Sequence, residues 1–414
     1  MYSILRSIPR QLGPEQIFML GGLFVNVGNY AYNLLLGRYL GPTQFADAAL
    51  LVTLLLVLSF VAMTFQLTTA KFVVELSGES RDLFQKWMYR LSLSIGVIMG
   101  VVIMLFAAEL HQLFRTESKA MFLIFGAAVP LYFAMSVNRG VHQGDCSFIQ
   151  LTLTYQWEMI SRLIITFLLL FIFGVKSSTG VAIGIALSMI AGVFPFKKLK
   201  RVVNQNLQTA GFQKKLVLRF LLVSSLYEGT LIICNNSDIL LVKHYFESYQ
   251  AGLYASLALI GRLVYYVTWM FVMLLLPKVV KARKAGEATR PLMLKYLKYI
   301  VLLCSLIVVF TFLFPTFSVN VLFGSEYVQI APLLGWYAVA TGLFAISNVF
   351  AYYFLSLDRY LPIILATIMG MIQVALIVIW HETLFEVLQM QVIAMFVLLV
   401  LQFLHFRIFS KSSD

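Results

Sequence analysis

Apolar residues in this chain run in long unbroken blocks that recur from end to end. Blocks such as "LIITFLLLFIF" (163–173) and "VIAMFVLLVLQFL" (392–404) show no polar residue at every second position, so they read as helices and not as strands. Twelve such segments are predicted: 16–36, 46–71, 87–108, 119–138, 148–173, 180–196, 216–242, 251–276, 296–316, 331–354, 362–380 and 387–408. Most are about twenty residues long, enough for a helix to cross roughly 30 Å of hydrocarbon. The first, from about Ile17, follows Arg6 and Arg10 and lacks a small-residue cleavage site, so it is read as a span and not as a signal peptide.

Composition fits that pattern. Hydrophobic residues make up 61% of the 414 positions and charged ones 12%, with a mean hydropathy of +0.89. The expected fold is an all-α polytopic membrane protein with about 12 transmembrane helices in two six-helix bundles. The connections are too short to hold a folded extramembrane domain. Cys146, Cys234 and Cys304 are an odd set without metal-ligand spacing, which gives no disulfide framework and no zinc site, and no cofactor is expected.

Charge sets the orientation. Most of the 31 Lys and Arg residues fall on one side, including Arg6 and Arg10, the cluster 197–219 and the cluster 278–298. The other side holds Arg38, Arg115, Lys119, Lys176 and Lys243. By the positive-inside rule both termini are cytoplasmic. The net charge of +13 is then a topology signal and an attraction to anionic lipid, with no support for nucleic-acid binding. The predicted domains are an N-terminal bundle (1–196), a basic cytoplasmic link (197–215) and a C-terminal bundle (216–414).

An internal repeat supports two halves. "LGRYLGPTQFADAALL" answers "LVKHYFESYQAGLYASLAL" at a shift of about 206, with Arg38 opposite Lys243 and Asn29 opposite Asn235. Lys86 falls opposite Lys295. Six spans per half give the two repeats the same orientation in the membrane.

Five ionisable residues are counted within spans: Glu158 and Arg162 in the fifth, Glu228 and Asp238 in the seventh, and Arg262 in the eighth. All but Asp238, which lies nearer the outer end, stand very roughly 15 Å from a span end, near mid-depth. Charges there are costly, so they face one another or a wet cavity. Glu158 and Arg162, four residues apart, share a helix face. One reading makes Glu158 with Arg162, and Glu228 with Arg262, ion pairs that hold the bundle. The other makes Arg162 and Arg262 binding groups for an anionic substrate, with Arg suited to phosphate, and the acids Glu158, Glu228 and Asp238 tuning groups or carriers of a coupling proton or sodium ion. Asn26, Asn29 and Asn33 in the first span, with Asn235 and Asn236 in the seventh, give each half a polar first helix. They bind substrate in a central cavity or bond between helices. Pro130 is expected to kink the fourth span.

The junctions resemble the multidrug/oligosaccharidyl-lipid/polysaccharide (MOP) flippase superfamily, in its polysaccharide-biosynthesis branch with the O-antigen-type flippases. The resemblance lies in "LGRYLGPTQF", "RGVHQGD" (139–145), "NNSDILLVKHYFESYQAGLYASLALIGRL", "LFGSEY" (322–327) and "APLL" (331–334). At "FADA" (45–48), Ala46 takes the glycine position that the second copy, "AGLY", keeps. The resemblance implies alternating access and a polyprenyl (pyro)phosphate-linked sugar or oligosaccharide moved across the bacterial inner membrane. Membrane lipids, and polymerase or chain-length proteins, are the implied partners.

Other classes fit less well. A cation-coupled drug exporter should favour cavity acids without arginines. A major-facilitator transporter should carry G-x-x-x-D-R-x-G-R-R between spans two and three, where "KFVVELSGESRDLFQKW" stands. A membrane enzyme acting on lipid-linked sugars needs acids on a sizeable outer loop, and there is no Walker A sequence for ATP hydrolysis.

Overall fold

The computed structural model describes residues 13–174, 177–197, 213–264, 279, 282, 287–357, 359 and 361–412, and these are helical with short turns. The helices are α1 (Pro14–Glu75), α2 (Gly78–Leu105), α3 (Ala107–Leu113), α4 (Ala120–Gly144), α5 (Phe148–Phe171), α6 (Ser178–Gly192), α7 (Lys214–Tyr245) and α8 (Ser248–Gly261). They continue with α9 (Arg290–Leu313), α10 (Pro315–Phe323), a 3₁₀ helix (Ser325–Leu333), α11 (Leu334–Ser356), α12 (Leu361–Ile379) and α13 (Leu384–Ser412). Every predicted span falls on a helix, except that 265–276, the end of the eighth, lies outside the described residues.

Among the described residues, seven helices are long and apolar enough to cross a membrane by length and composition, and Ser178–Gly192 is a shorter apolar helix. Their outer faces are apolar, with Val97, Ile98, Val101 and Leu105 exposed on α2 and Leu302, Leu306, Val309 and Leu313 on α9. A water-soluble surface would not carry such continuous stripes, whereas lipid is a good solvent for them.

The first two predicted spans differ from expectation in their junction. A connection at 37–45 is expected, but the helix continues to Leu40 and resumes at Pro42, broken only at Gly41. Gly41 has φ +71°, a conformation open to glycine and costly for other residues, and Pro42 opens the next arm, where its missing N–H is harmless. At Pro130, where a kink is expected, α4 is continuous as one helical element. Pro130 lies at a close approach of α2 and α4, where a Cβ on Gly96 would stand 2.9 Å from the Pro130 backbone and one on Gly126 2.8 Å from the Gly100 carbonyl. In lipid, helices associate by such small-residue contacts, since burying apolar surface gains little there.

The chain forms two compact units. The first comprises residues up to 36 and 54–228, with α4 packed against α2 and α6, and α5 against α6. Its core includes Phe125, Val129, Phe133, Leu151, Met159 and Ile185. The second comprises 37–53 and 229–414, built on α11 against α9 and α13, and α12 against α13. Its core gathers Ile300, Ala338, Val349, Phe350, Phe354 and Phe406.

Segment 37–53, first-half in sequence, is therefore built into the second unit. Arg38 donates through Nε to the Leu322 carbonyl at 2.9 Å and also to the Val321 carbonyl, covering acceptors that the end of α10 leaves open. The Tyr327 hydroxyl donates to the Gly37 carbonyl at 2.7 Å, and Phe45 packs on Phe323 and Tyr327.

Candidate functional site

Two buried polar clusters stand inside these helices, one in each unit. The first is centred on α5. Glu158 and Arg162, near the middle of that helix, lie on one face as their spacing requires, with Arg162 Nη2 3.6 Å from Glu158 Oε1. That is the looser of two contacts. Arg139 of α4 approaches the same carboxylate at 2.7 Å, Nη2 to Oε2. Arg139 also donates to Thr154 Oγ1 and to the Thr154 carbonyl, both at 3.1 Å, and its guanidinium lies 3.9 Å from the centre of the Tyr155 ring. Gly192 of α6 makes room for the acid: a Cβ there would come within 3.0 Å of Glu158 Cβ.

Arg162 turns the other way, towards α1, and donates through Nη2 to Asn29 Oδ1 at 2.8 Å. Its guanidinium stands 5.6 Å from the Tyr32 ring, whose hydroxyl pairs with Thr166 Oγ1 at 3.1 Å. Asn33 donates to the Asn29 carbonyl at 2.9 Å, and Asn26 is exposed one turn away.

The second cluster joins α7, the end of α8 and α11. Arg262 donates through Nη1 to Asn236 Oδ1 at 3.1 Å, through Nη2 to Asp238 Oδ1 at 3.2 Å, and to the Asn235 carbonyl. The other carboxylate oxygen of Asp238 accepts from the hydroxyls of Tyr254 at 3.2 Å and Tyr337 at 2.8 Å. Gln391 in turn donates to the Tyr254 oxygen at 3.0 Å. Asn235, Asp238, Arg262, Tyr337 and Gln391 border a small cavity, lined also by Thr341, whose free space of about 20 Å³ holds roughly one water molecule.

Some sequence expectations take different partners here. Among the described residues the carboxylate that Arg262 meets is Asp238, and the side chain of Glu228, expected beside it, lies outside the described residues. Asn29 and Asn235, matched by the repeat, each meet an arginine, but Arg162 sits on the fifth span and Arg262 on the eighth, so the two halves reach similar chemistry from non-equivalent helices.

Arg139, one residue beyond the predicted fourth span (119–138), is only 3% exposed. A signal was present: α4 and α5 form a hairpin turning at 145–147, and Arg139 and Thr154 are nearly equidistant from it. A second pair also escapes the sequence count. Lys243, expected among the outer cations, is buried with Asp47 at 2.7 Å, and Asp47 is the second residue of the predicted second span. Among the described residues no group of His, Cys, Asp and Glu converges as metal ligands.

Residues 35–332 match the profile of a family described as polysaccharide biosynthesis protein. Comparison with curated proteins gives no match. Among solved structures, the chain is similar to a multidrug resistance MATE family transporter of the MOP superfamily in an inward-facing conformation, at 16% identity and TM-score 0.77, over 94% of this chain and 96% of that one. It is equally similar to the lipid II flippase MurJ in an inward closed conformation, at 16% identity and TM-score 0.77, over 94% and 87%. A MOP superfamily transporter from Pyrococcus furiosus matches at 17% identity and TM-score 0.59, over 95% and 93%. The shared feature is the fold.

Proposed function

This chain belongs to the polysaccharide biosynthesis protein family, and from that premise we propose that it is a flippase for a polyprenyl (pyro)phosphate-linked sugar or oligosaccharide. The substrate would cross the bacterial inner membrane by alternating access to a cationic central cavity, with both termini cytoplasmic. The fold is that of transporters and flippases, and the multi-pass helices are apolar enough for a membrane. The observation that carries the substrate class is the pair of buried arginine clusters, one in each unit, each held by side-chain amides. An arginine fork suits a phosphoryl oxyanion, amides and tyrosines suit sugar hydroxyls, and a polyprenyl tail can stay in lipid.

In this reading Arg162 and Arg262 are the cationic groups, Asn26, Asn29, Asn235 and Asn236 the amide contacts, and Glu158, Glu228 and Asp238 the acids that set their charge. A second reading, a cation-coupled exporter of small molecules, draws on the likeness to a multidrug resistance transporter. It fits less well, because Glu158 and Asp238 are both occupied by arginines. Catalysis on the lipid-linked sugar is the least supported reading.

The test is to delete the gene and measure which leaflet holds lipid-linked sugar intermediates, using an added sugar-modifying enzyme that reaches only the outer face. Intermediates trapped on the cytoplasmic side, and released by the intact chain but not by Arg162→Ala, are expected. Intermediates that still reach the outer leaflet would refute the flippase reading and favour the exporter.

A further inference from the structure

The two clusters differ in charge balance. Among the described residues, the buried charges of the second unit cancel in pairs: Asp47 with Lys243, and Asp238 with Arg262. Among the described residues of the first unit the buried ionised side chains are Arg139, Arg162 and one acid, Glu158, which leaves one positive charge over. An uncompensated charge at this depth is costly and calls for an anion.

The surplus falls on Arg162. Arg139 spends its donors on Glu158 and on two oxygens of Thr154, and it is stacked on Tyr155. Among the described residues Arg162 makes one short hydrogen bond, to Asn29, and stands 3.6 Å from Glu158, while its buried Nε has no hydrogen-bond partner. Of five guanidinium N–H donors, several remain for a ligand.

The neighbouring face of α1 supplies access. Asn26, Asn29, Tyr30 and Asn33 follow one another at helical spacing, Asn26 exposed and the others partly so. Exposed amides in the middle of a membrane helix face water or a polar ligand, because lipid offers no hydrogen bonds. Asn29 lies on this stripe and holds Arg162 beside it.

We propose that Arg162, with Asn29 and the stripe carrying Asn26 and Asn33, is an anion site for a phosphoryl oxyanion, and that Arg139 is its positioning residue. By occupying Glu158, Arg139 prevents that carboxylate from neutralising Arg162. That the phosphoryl group belongs to a transported lipid-linked sugar rests on the flippase reading; the anion site itself does not.

The test is calorimetric titration of inorganic pyrophosphate into the purified full chain in nanodiscs of neutral lipid, with thermal unfolding followed in parallel. Arg139→Gln frees Glu158 to neutralise Arg162 and is expected to weaken binding by about tenfold or more, whereas Arg139→Lys retains most of it. Glu158→Gln is expected to tighten binding by about tenfold, and Arg139→Gln with Glu158→Gln to return it close to wild type. Arg162→Gln is expected to lose it with or without Glu158→Gln.

A purely structural ion pair predicts the opposite for Glu158→Gln, which would strand two arginines without improving binding. Affinity that ignores Arg139→Gln and Glu158→Gln, or that falls in Glu158→Gln, overturns the proposal, and these variants decide it even if Arg139→Gln alone unfolds. Repeating the titration with phosphatidylglycerol in the discs identifies the source: competition assigns the site to a lipid phosphate, and its absence to a phosphoryl group that bulk lipid does not supply. Binding that follows this charge series in a chain without leaflet transfer would keep the anion site and remove the flippase reading.

Discussion

Replacing Asp238 by Leu, similar in size but without charge, tests how the second cluster is held. The carboxylate, 3% exposed, is the acceptor for Arg262 at 3.2 Å, Tyr254 at 3.2 Å and Tyr337 at 2.8 Å. Its removal leaves a buried guanidinium without its counter-charge, a change that costs about 3–5 kcal/mol. Two hydroxyl protons also lose their acceptor, at about 1–3 kcal/mol each if nothing replaces it, although such losses within one network do not add in full. A net destabilisation of about 5 kcal/mol is expected for Asp238→Leu. Removing both charges together, as Asp238→Leu with Arg262→Met, should bring the protein back to within about 2 kcal/mol of wild type, because a buried pair replaced by packed apolar groups is often neutral.

The assay is equilibrium unfolding of the purified protein in mixed detergent micelles, followed by circular dichroism, for both single variants and the double. The cycle isolates the pair from the rest of the network. A double variant as unstable as Asp238→Leu would mean that the tyrosines, not the arginine, depend on the acid. A single variant with wild-type stability would refute the counter-charge argument altogether. If the double folds normally but fails to export, the cluster has a transport role beyond holding the unit together.

Four further outcomes can be checked. Gly41→Ala must adopt φ +71° with a side chain and place its Cβ 3.1 Å from Glu326, so it is expected to cost about 1–2 kcal/mol, and an unchanged unfolding midpoint would show that the break does not depend on glycine. Lys243→Met strands Asp47 and should cost about 3–5 kcal/mol, with Asp47→Leu in the same chain restoring most of it. Gly126→Val forces α4 away from the Gly100 carbonyl and should lower the amount of folded protein in the membrane far more than Leu123→Val on an exposed face of the same helix. Asp145, bridging Arg81 and Lys197 at a partly exposed helix end, should tolerate Asn at a cost of about 1 kcal/mol or less, since water screens those pairs.

The helices were legible because lipid imposes one simple rule: a spanning segment must be apolar for about twenty residues and must satisfy its own backbone. That rule located the helices of the described residues, including α5 despite Glu158 and Arg162. It could not locate the Gly41 break, because "LGP" reads equally well as a loop or as a one-residue interruption between two helical arms. Nor could it show that segment 37–53 packs into the second unit, since that depends on contacts with Leu322, Tyr327 and Lys243, some 200 to 290 positions away. Hydropathy reports how deep a residue lies, not which neighbour it meets.

The site residues illustrate the same limit. Sequence spacing pairs charges within one helix, and Glu158 with Arg162 is such a pair, but the shorter contact to Glu158 comes from Arg139 across a hairpin. Positions equally far from a helical turn lie at equal depth, so the turn at 145–147 brings Arg139 level with Thr154, within an arginine's reach of Glu158. The same count applied to the α7 and α8 turn at 246–247 puts Asp238 level with Ala255, and the adjacent Tyr254 is one of its donors. Arg262 lies further in, and its long side chain closes the remaining distance. In a helical membrane protein with short turns, the partner of a buried charge is therefore sought across the turn, within a long side chain's reach of the mirrored position, as well as four residues along its own helix. The difference matters here because the closer partner of Glu158, reached across the turn, is a second arginine, which changes the cluster from a neutral pair into a cationic triad.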